Sequence, residues 1–212
     1  MADLHPIRGR RTQEERSKAT QALVMDAALA CLEDLGYARC STTEIAKRAG
    51  VSRGAQLHHF PTKAALVAEA VRHLFDRRHA EFLEAFRRVE PSAPRLDAAI
   101  DLLWSMVRGQ SFVVWLELVV AARTDPELAR EVHALSRDFI DTVEETFRVL
   151  FPSDDETAPF VAVAPRFALS FLEGLALGRL GFGDEAAAEY GVETLKQLGR
   201  LVLPATMTGG RS

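Results

Sequence analysis

Cysteine is scarce: Cys31 and Cys40 are the only two in 212 residues, and they form no CxxC pair. That excludes a disulfide framework. No run of eighteen apolar residues occurs, so composition gives no membrane span and no membrane partner is expected. Arg8, Arg10 and Arg11 are followed by no apolar segment of the kind a secretory signal needs. A reducing cytoplasm is the compartment expected. Catalytic signatures are missing too: there is no GxSxG, no P-loop, no GxGxxG after a strand and no HExxH. His58 and His59 are adjacent rather than four apart, a poor arrangement for a metal. Neither a metal nor a cofactor is expected. Strand signals are absent as well, since no alternating run lies between Pro/Gly clusters.

What is present is helix, and charge unevenly spread. The net charge is −4, which argues against nucleic acid only if the charge is uniform. Residues 1–63 hold 10 Lys and Arg against 7 Asp and Glu, whereas residues 64–212 hold 16 against 23. A basic first part beside an acidic remainder is the split that phosphate attraction at one end requires.

The basic part contains the stretch that organises the chain, Ser41 to Phe60. Ser41 is an N-cap, and Glu44 three residues on makes a capping box. Ile45, Ala46 and Ala49 give one apolar side, and Gly50 supplies a left-handed stop. Val51 fills the corner and Ser52 caps a second helix. Two short helices about a glycine turn are a helix-turn-helix, whose second helix enters the DNA major groove. On that reading the DNA-binding residues are Ser41, Thr42, Thr43, Ser52, Arg53, Gly54, Ala55, Gln56, His58, His59 and Lys63. Arg53 stands where groove-reading residues belong, and Gly54 and Ala55 let the backbone come close. Lys63 lies in the first turn of the next helix, where amides and a cation meet a phosphate.

Asp26-Ala27-Ala28, Gly36-Tyr37, Ile45-Ala46, Ala49-Gly50-Val51-Ser52, Gly54, His59-Phe60 and Lys63-Ala64-Ala65-Leu66 resemble the N-terminal domain of TetR-type transcriptional regulators. The likeness runs from about Gln13 to Val71, with Trp115 to Asp125-Pro126 similar further on. It implies a three-helix DNA-binding domain at 13–62, a helical ligand-binding and dimerisation domain at 63–205, and a basic arm at 1–12. Three positions depart from the pattern. The family usually has an apolar residue where Gln56 stands and a phosphate-touching Tyr where Leu57 stands. Cys40 replaces a usual Thr.

Periodicity gives about nine helices, an all-α fold. The first runs Gln13 to Leu35 and stops at Gly36. A long connector runs Thr62 to about Val89, ended by Pro91 and Pro94. Arg72, His73, Arg77, Arg78 and His79 on it read as a solvated face. Arg95 to Arg108 follows, then Phe112 to Ala122, apolar on all sides but Glu117 and so expected buried. Asp125-Pro126 opens a helix to Phe151, and 152–157 is an acidic loop. Two closing helices, about Pro159–Leu180 and Glu185–Leu203, carry small and apolar residues enough for a dimer interface through Leu172, Leu175, Gly178, Leu195 and Leu198.

Large aromatics with a few polar groups suggest an apolar ligand pocket in the second half, from Trp104, Phe112, Trp115, Glu117, His133, Arg137, Phe139, Phe167 and Phe171. The resemblance implies an effector there. The resulting expectation is a homodimeric, ligand-responsive repressor on a palindromic operator in double-stranded DNA, released by a small-molecule effector. The rivals are a helical-bundle enzyme using Glu117 and His133, which leaves the charge split unexplained, and a DNA-binding protein without an effector.

Overall fold

The computed structural model describes residues 13–90, 92–152 and 158–202. The basic arm at 1–12, Pro91, the acidic loop at 153–157 and the tail from 203 lie outside the described residues. The described residues form nine α-helices and no strand. In chain order these are α1 (Gln13–Arg39), α2 (Thr42–Ala49), α3 (Arg53–His59), α4 (Lys63–Arg87) and α5 (Arg95–Val107), then α6 (Gln110–Ala122), α7 (Pro126–Leu150), α8 (Ala158–Phe182) and α9 (Glu185–Val202). The chain divides into two compact units between Ala70 and Val71, inside α4 rather than at its start.

The first unit is built on α1. Val24, Ala27, Ala28, Cys31 and Leu32 recur at helical spacing, and all are buried. At Gly36 the backbone leaves helical geometry, with φ 69° and ψ 169°, and a short further turn carries the helix to Arg39. The Ser41 hydroxyl accepts from the Glu44 N–H at 3.1 Å, a cap worth about 1 kcal/mol. The Glu44 carboxylate accepts from Arg48 Nε at 3.0 Å, and Arg48 also reaches Asp34 on α1 at 2.6 Å. Gly50 ends α2 in the left-handed region at φ 67°, and the Val51 N–H donates back to the Ala46 carbonyl at 3.1 Å. The Ser52 hydroxyl then caps α3 by accepting from the Ala55 N–H at 3.2 Å. The expected helix-turn-helix is therefore present, each end held by a local bond.

The second unit packs the remainder of α4 with α5 to α9. Its core gathers Phe82 and Phe86 from α4 with Leu96, Ile100 and Trp104 from α5, Leu169, Leu172 and Ala176 from α8, and Val192 and Leu195 from α9. Asp125 caps α7 by accepting from the Glu127 and Leu128 N–H groups at 3.1 and 3.0 Å, with Pro126 at the first helical position. At Gly191 an added Cβ would stand 2.6 Å from Leu175 Cδ2, so the glycine lets α9 settle on α8.

Two expectations change here. First, α6 is not buried all round: Glu117, Val119 and Val120 are exposed, while Phe112, Val114 and Leu118 face inward. Second, Val161–Phe182 of α8 is long and apolar enough to cross a membrane, at mean hydropathy 1.4, although no membrane span was expected. It packs against α5, α7 and α9 through Leu169, Leu172 and Ala176, and leaves Val163, Phe167, Leu177, Leu180 and Phe182 exposed.

Candidate functional sites

The first site is the outer face of the helix-turn-helix. Ser41, Thr43, Ser52, Arg53, Gly54 and His58 are exposed, and Thr42 and Ala55 half-buried. Arg53 opens α3, the position from which a recognition helix reaches base edges. Leu57, 41% exposed, stands on the outside beside it.

Gln56 is a correction. It is 0% exposed and belongs to the interior, not to the DNA-facing surface. The reason is helical spacing: Gln56 lies one turn before Phe60, which is also buried, so the two share the inward face. Neither atom of its side-chain amide has a hydrogen-bond partner among the described residues. The polarity of the side chain pointed outward, whereas the apolar preference of the family at this position pointed inward, correctly.

His59 and Lys63 have partners inside the unit. His59 Nδ1 lies 3.3 Å from the side-chain nitrogen of Gln21 on α1. The Lys63 ammonium donates to the Tyr37 carbonyl at 2.6 Å, and the side chain is half-buried. His59 thus ties α3 to α1, and Lys63 ties the start of α4 to the end of α1.

The second site is a cavity of about 290 Å³ within the second unit. Its wall is mostly apolar. Phe75 and Phe82 from α4, Phe112 and Trp115 from α6, and Phe139 and Phe147 from α7 supply the rings. Phe75 stands between two of them, with centroids 4.5 Å from Phe139 and 5.6 Å from Trp115. The polar lining is small. Arg78 donates to Glu81 at 2.8 Å and to the Ser111 hydroxyl at 3.4 Å, and its Nε is buried without a partner. His79 Nε2 meets the Thr146 hydroxyl at 2.8 Å. Glu173 of α8 also lines the cavity, and burial pushes its carboxyl above the usual range.

Of the residues expected in a pocket, Phe112, Trp115, Phe139 and Phe167 line the cavity. Trp104 and Phe171 pack beside it without lining it. Glu117, His133 and Arg137 are corrections, since all three are exposed on the outer sides of α6 and α7. The amphipathic stripe of α7, through Leu128, Val132 and Leu135, turns His133 and Arg137 to solvent. The sequence reading missed Arg78, His79 and Glu173. A signal existed for each. Arg78 and His79 fall three and four residues after Phe75, on its helical face, and Glu173 falls four after the buried Leu169.

The expected interface residues also divide. Leu172 and Leu195 are corrections, because both are buried within the unit's own core. Leu175 rests on Gly191, and Leu198 lines the cavity. Gly178 has open space where a Cβ would be. The exposed apolar surface on these helices includes Leu198 but lies mainly on other residues: Phe182 is 88% and Tyr190 78% exposed, and Leu177, Leu180 and Leu201 are exposed as well.

A capped helix-turn-helix with an arginine at the head of its second helix defines a DNA-binding protein, here joined to a helical unit with an apolar cavity. Residues 24–70 match the family described as bacterial regulatory proteins, tetR family, and residues 92–200 match the BetI-type transcriptional repressor, C-terminal. The chain belongs to the TetR family of bacterial transcriptional regulators. An HTH-type transcriptional regulator of Mycobacterium tuberculosis is 32% identical over 156 residues, 71% of this chain and 79% of that one. The crystal structure of a transcriptional regulator from Rhodococcus sp. Rha1 superposes with a TM-score of 0.65 at 26% identity, covering 91% of this chain and 99% of that one. The multidrug binding protein EbrR, complexed with imidazole, has the same fold, with a TM-score of 0.63 at 23% identity and coverage of 88% and 97%. The family is one of regulators, not enzymes, and the exposed Glu117 and His133 lie outside this cavity. The enzyme reading is therefore dropped.

Proposed function

We propose that the protein is a cytoplasmic, homodimeric repressor that binds a palindromic operator and is released by a small molecule held in the cavity. The observation that carries this reading is the cavity itself: about 290 Å³, walled by aromatic rings and provided with few polar groups. That is the composition of a small-molecule site, and a DNA-binding protein without an effector has no use for it. The binding of imidazole by EbrR supports the reading. The helix α4 carries Lys63 at its first turn and Phe75, Arg78, His79 and Phe82 on the cavity wall. A ligand with different affinity for two positions of α4 thereby shifts the population that fits the operator. Two symmetric heads require half-sites one helical turn apart, ~34–36 Å.

The test is a gel shift of the full chain on DNA upstream of its own gene, with the complex mass measured. Two chains per palindromic duplex, released by an apolar small molecule, is the expected result. Binding that no small molecule relieves would leave only a constitutive DNA-binding protein.

A further inference from the structure

We infer that the effector is an apolar molecule bearing one cationic amino group, seated against the carboxylate of Glu173. The inference rests on the effector-site reading above and names the chemistry of that site.

The charges around the cavity do not balance at Glu173. Among the described residues Arg78 is the one arginine on the wall, and Glu81 matches its charge at 2.8 Å. Its Nε–H is buried without a partner. His79 is engaged with the Thr146 hydroxyl at 2.8 Å. Glu173 has neither an ion pair nor a hydrogen bond among the described residues, and its neighbours in the lining include Phe167 and Leu169. Burial accordingly raises the cost of its charge.

A carboxylate in that position selects among ligands by their head group. A ligand carboxylate meets a like charge and is rejected. A neutral hydroxyl gains one ordinary hydrogen bond. An ammonium gains a charge-assisted bond and relieves the carboxylate of its isolation. The aromatic rings of the wall accept the ligand's apolar body. An apolar side chain at residue 173 would hold an apolar ligand without this cost, so the carboxylate makes sense as a selector of charge.

The experiment uses three soluble probes with one apolar body: 4-phenylbutylamine, 4-phenylbutanol and 4-phenylbutyrate. Each is titrated calorimetrically into the full chain and into Glu173→Gln, with Glu173→Leu as a second variant should the first fail to fold. The amine is expected to bind the native chain about tenfold more tightly than the alcohol, with the butyrate weakest. In either variant the amine's advantage should shrink to about twofold while the alcohol's affinity holds. Equal binding of all three probes, or an amine preference that survives both variants, overturns the charge assignment and leaves the effector site standing. Failure of all three to bind the native chain removes the effector site, and this inference with it.

Discussion

The Lys63 ammonium stands 3.8 Å from the centroid of the Tyr37 ring while it donates to the carbonyl of that same residue. One side chain at the start of α4 thus clamps the turn that follows Gly36. Lys63→Ala removes a hydrogen bond and a cation–π contact, and we expect it to destabilise the first unit by about 1–2 kcal/mol. As a cation near a phosphate path, its loss should also weaken all DNA sequences alike and lower the salt slope by about one per subunit. Thermal unfolding and affinity at several salt concentrations check the two effects separately. An unchanged melting temperature would show that the clamp contributes nothing.

Arg53 should fail differently. It is exposed at the first residue of α3, and arginine most often reads guanine through O6 and N7. Arg53→Ala is expected to cost about 1–3 kcal/mol per half-site and to relax preference at one base position. The measurement is affinity for the operator and its single-base variants. An equal loss on every sequence would reduce Arg53 to a phosphate contact.

Gln56 should behave as a core residue. Its buried amide lacks partners, so Gln56→Leu is expected to stabilise the first unit by about 1–3 kcal/mol, read by urea unfolding. Operator affinity should be unchanged. Lost affinity at constant stability would place the glutamine on DNA after all.

The two cysteines sit close together in the first unit. Burial, and after it a hydrogen bond with Cys31, pushes the Cys40 thiol from 9.0 up to about 12. The unfolded chain therefore releases this proton first as the pH rises. The thiol's contribution to stability is complete below about pH 9 and declines from there towards pH 12. Urea unfolding between pH 8 and 10.5 should show that decline in the native chain and a flatter profile in Cys40→Val. A thiol reagent at pH 8 should react only after unfolding, because burial keeps the thiol protonated and out of reach.

Association should depend on the exposed rings, not on the buried leucines. On the homodimer reading, Phe182→Lys with Tyr190→Glu, at two exposed rings, is expected to yield a folded chain that sediments at the mass of one subunit, and the native chain is expected to sediment at two. Leu172→Ala, in contrast, should cost about 2–5 kcal/mol of stability by leaving a cavity. A dimer that survives the double substitution would move the interface to another surface.

The helix-turn-helix was legible because its signals are local. Ser41, Gly50 and Ser52 act within three residues of themselves, and the structure shows each at its post. The rings Phe112, Trp115 and Phe139 were legible as cavity residues because each stands on an apolar stripe. Glu117 was not, because α6 is apolar on both sides and only its neighbours decide which side is covered. Gln56 misled in the opposite direction, a polar residue in a position fixed by helical phase. Arg78 and His79 were hidden by their charged neighbours Arg72 and Arg77, which made the whole turn look solvated.

The division of the chain inside α4 has a practical consequence for swapping heads between relatives. No loop marks the seam, so no cut frees one unit without severing helical hydrogen bonds. A chimaera must be spliced in helical register. One inserted residue turns everything beyond it by about 100° and advances it by about 1.5 Å.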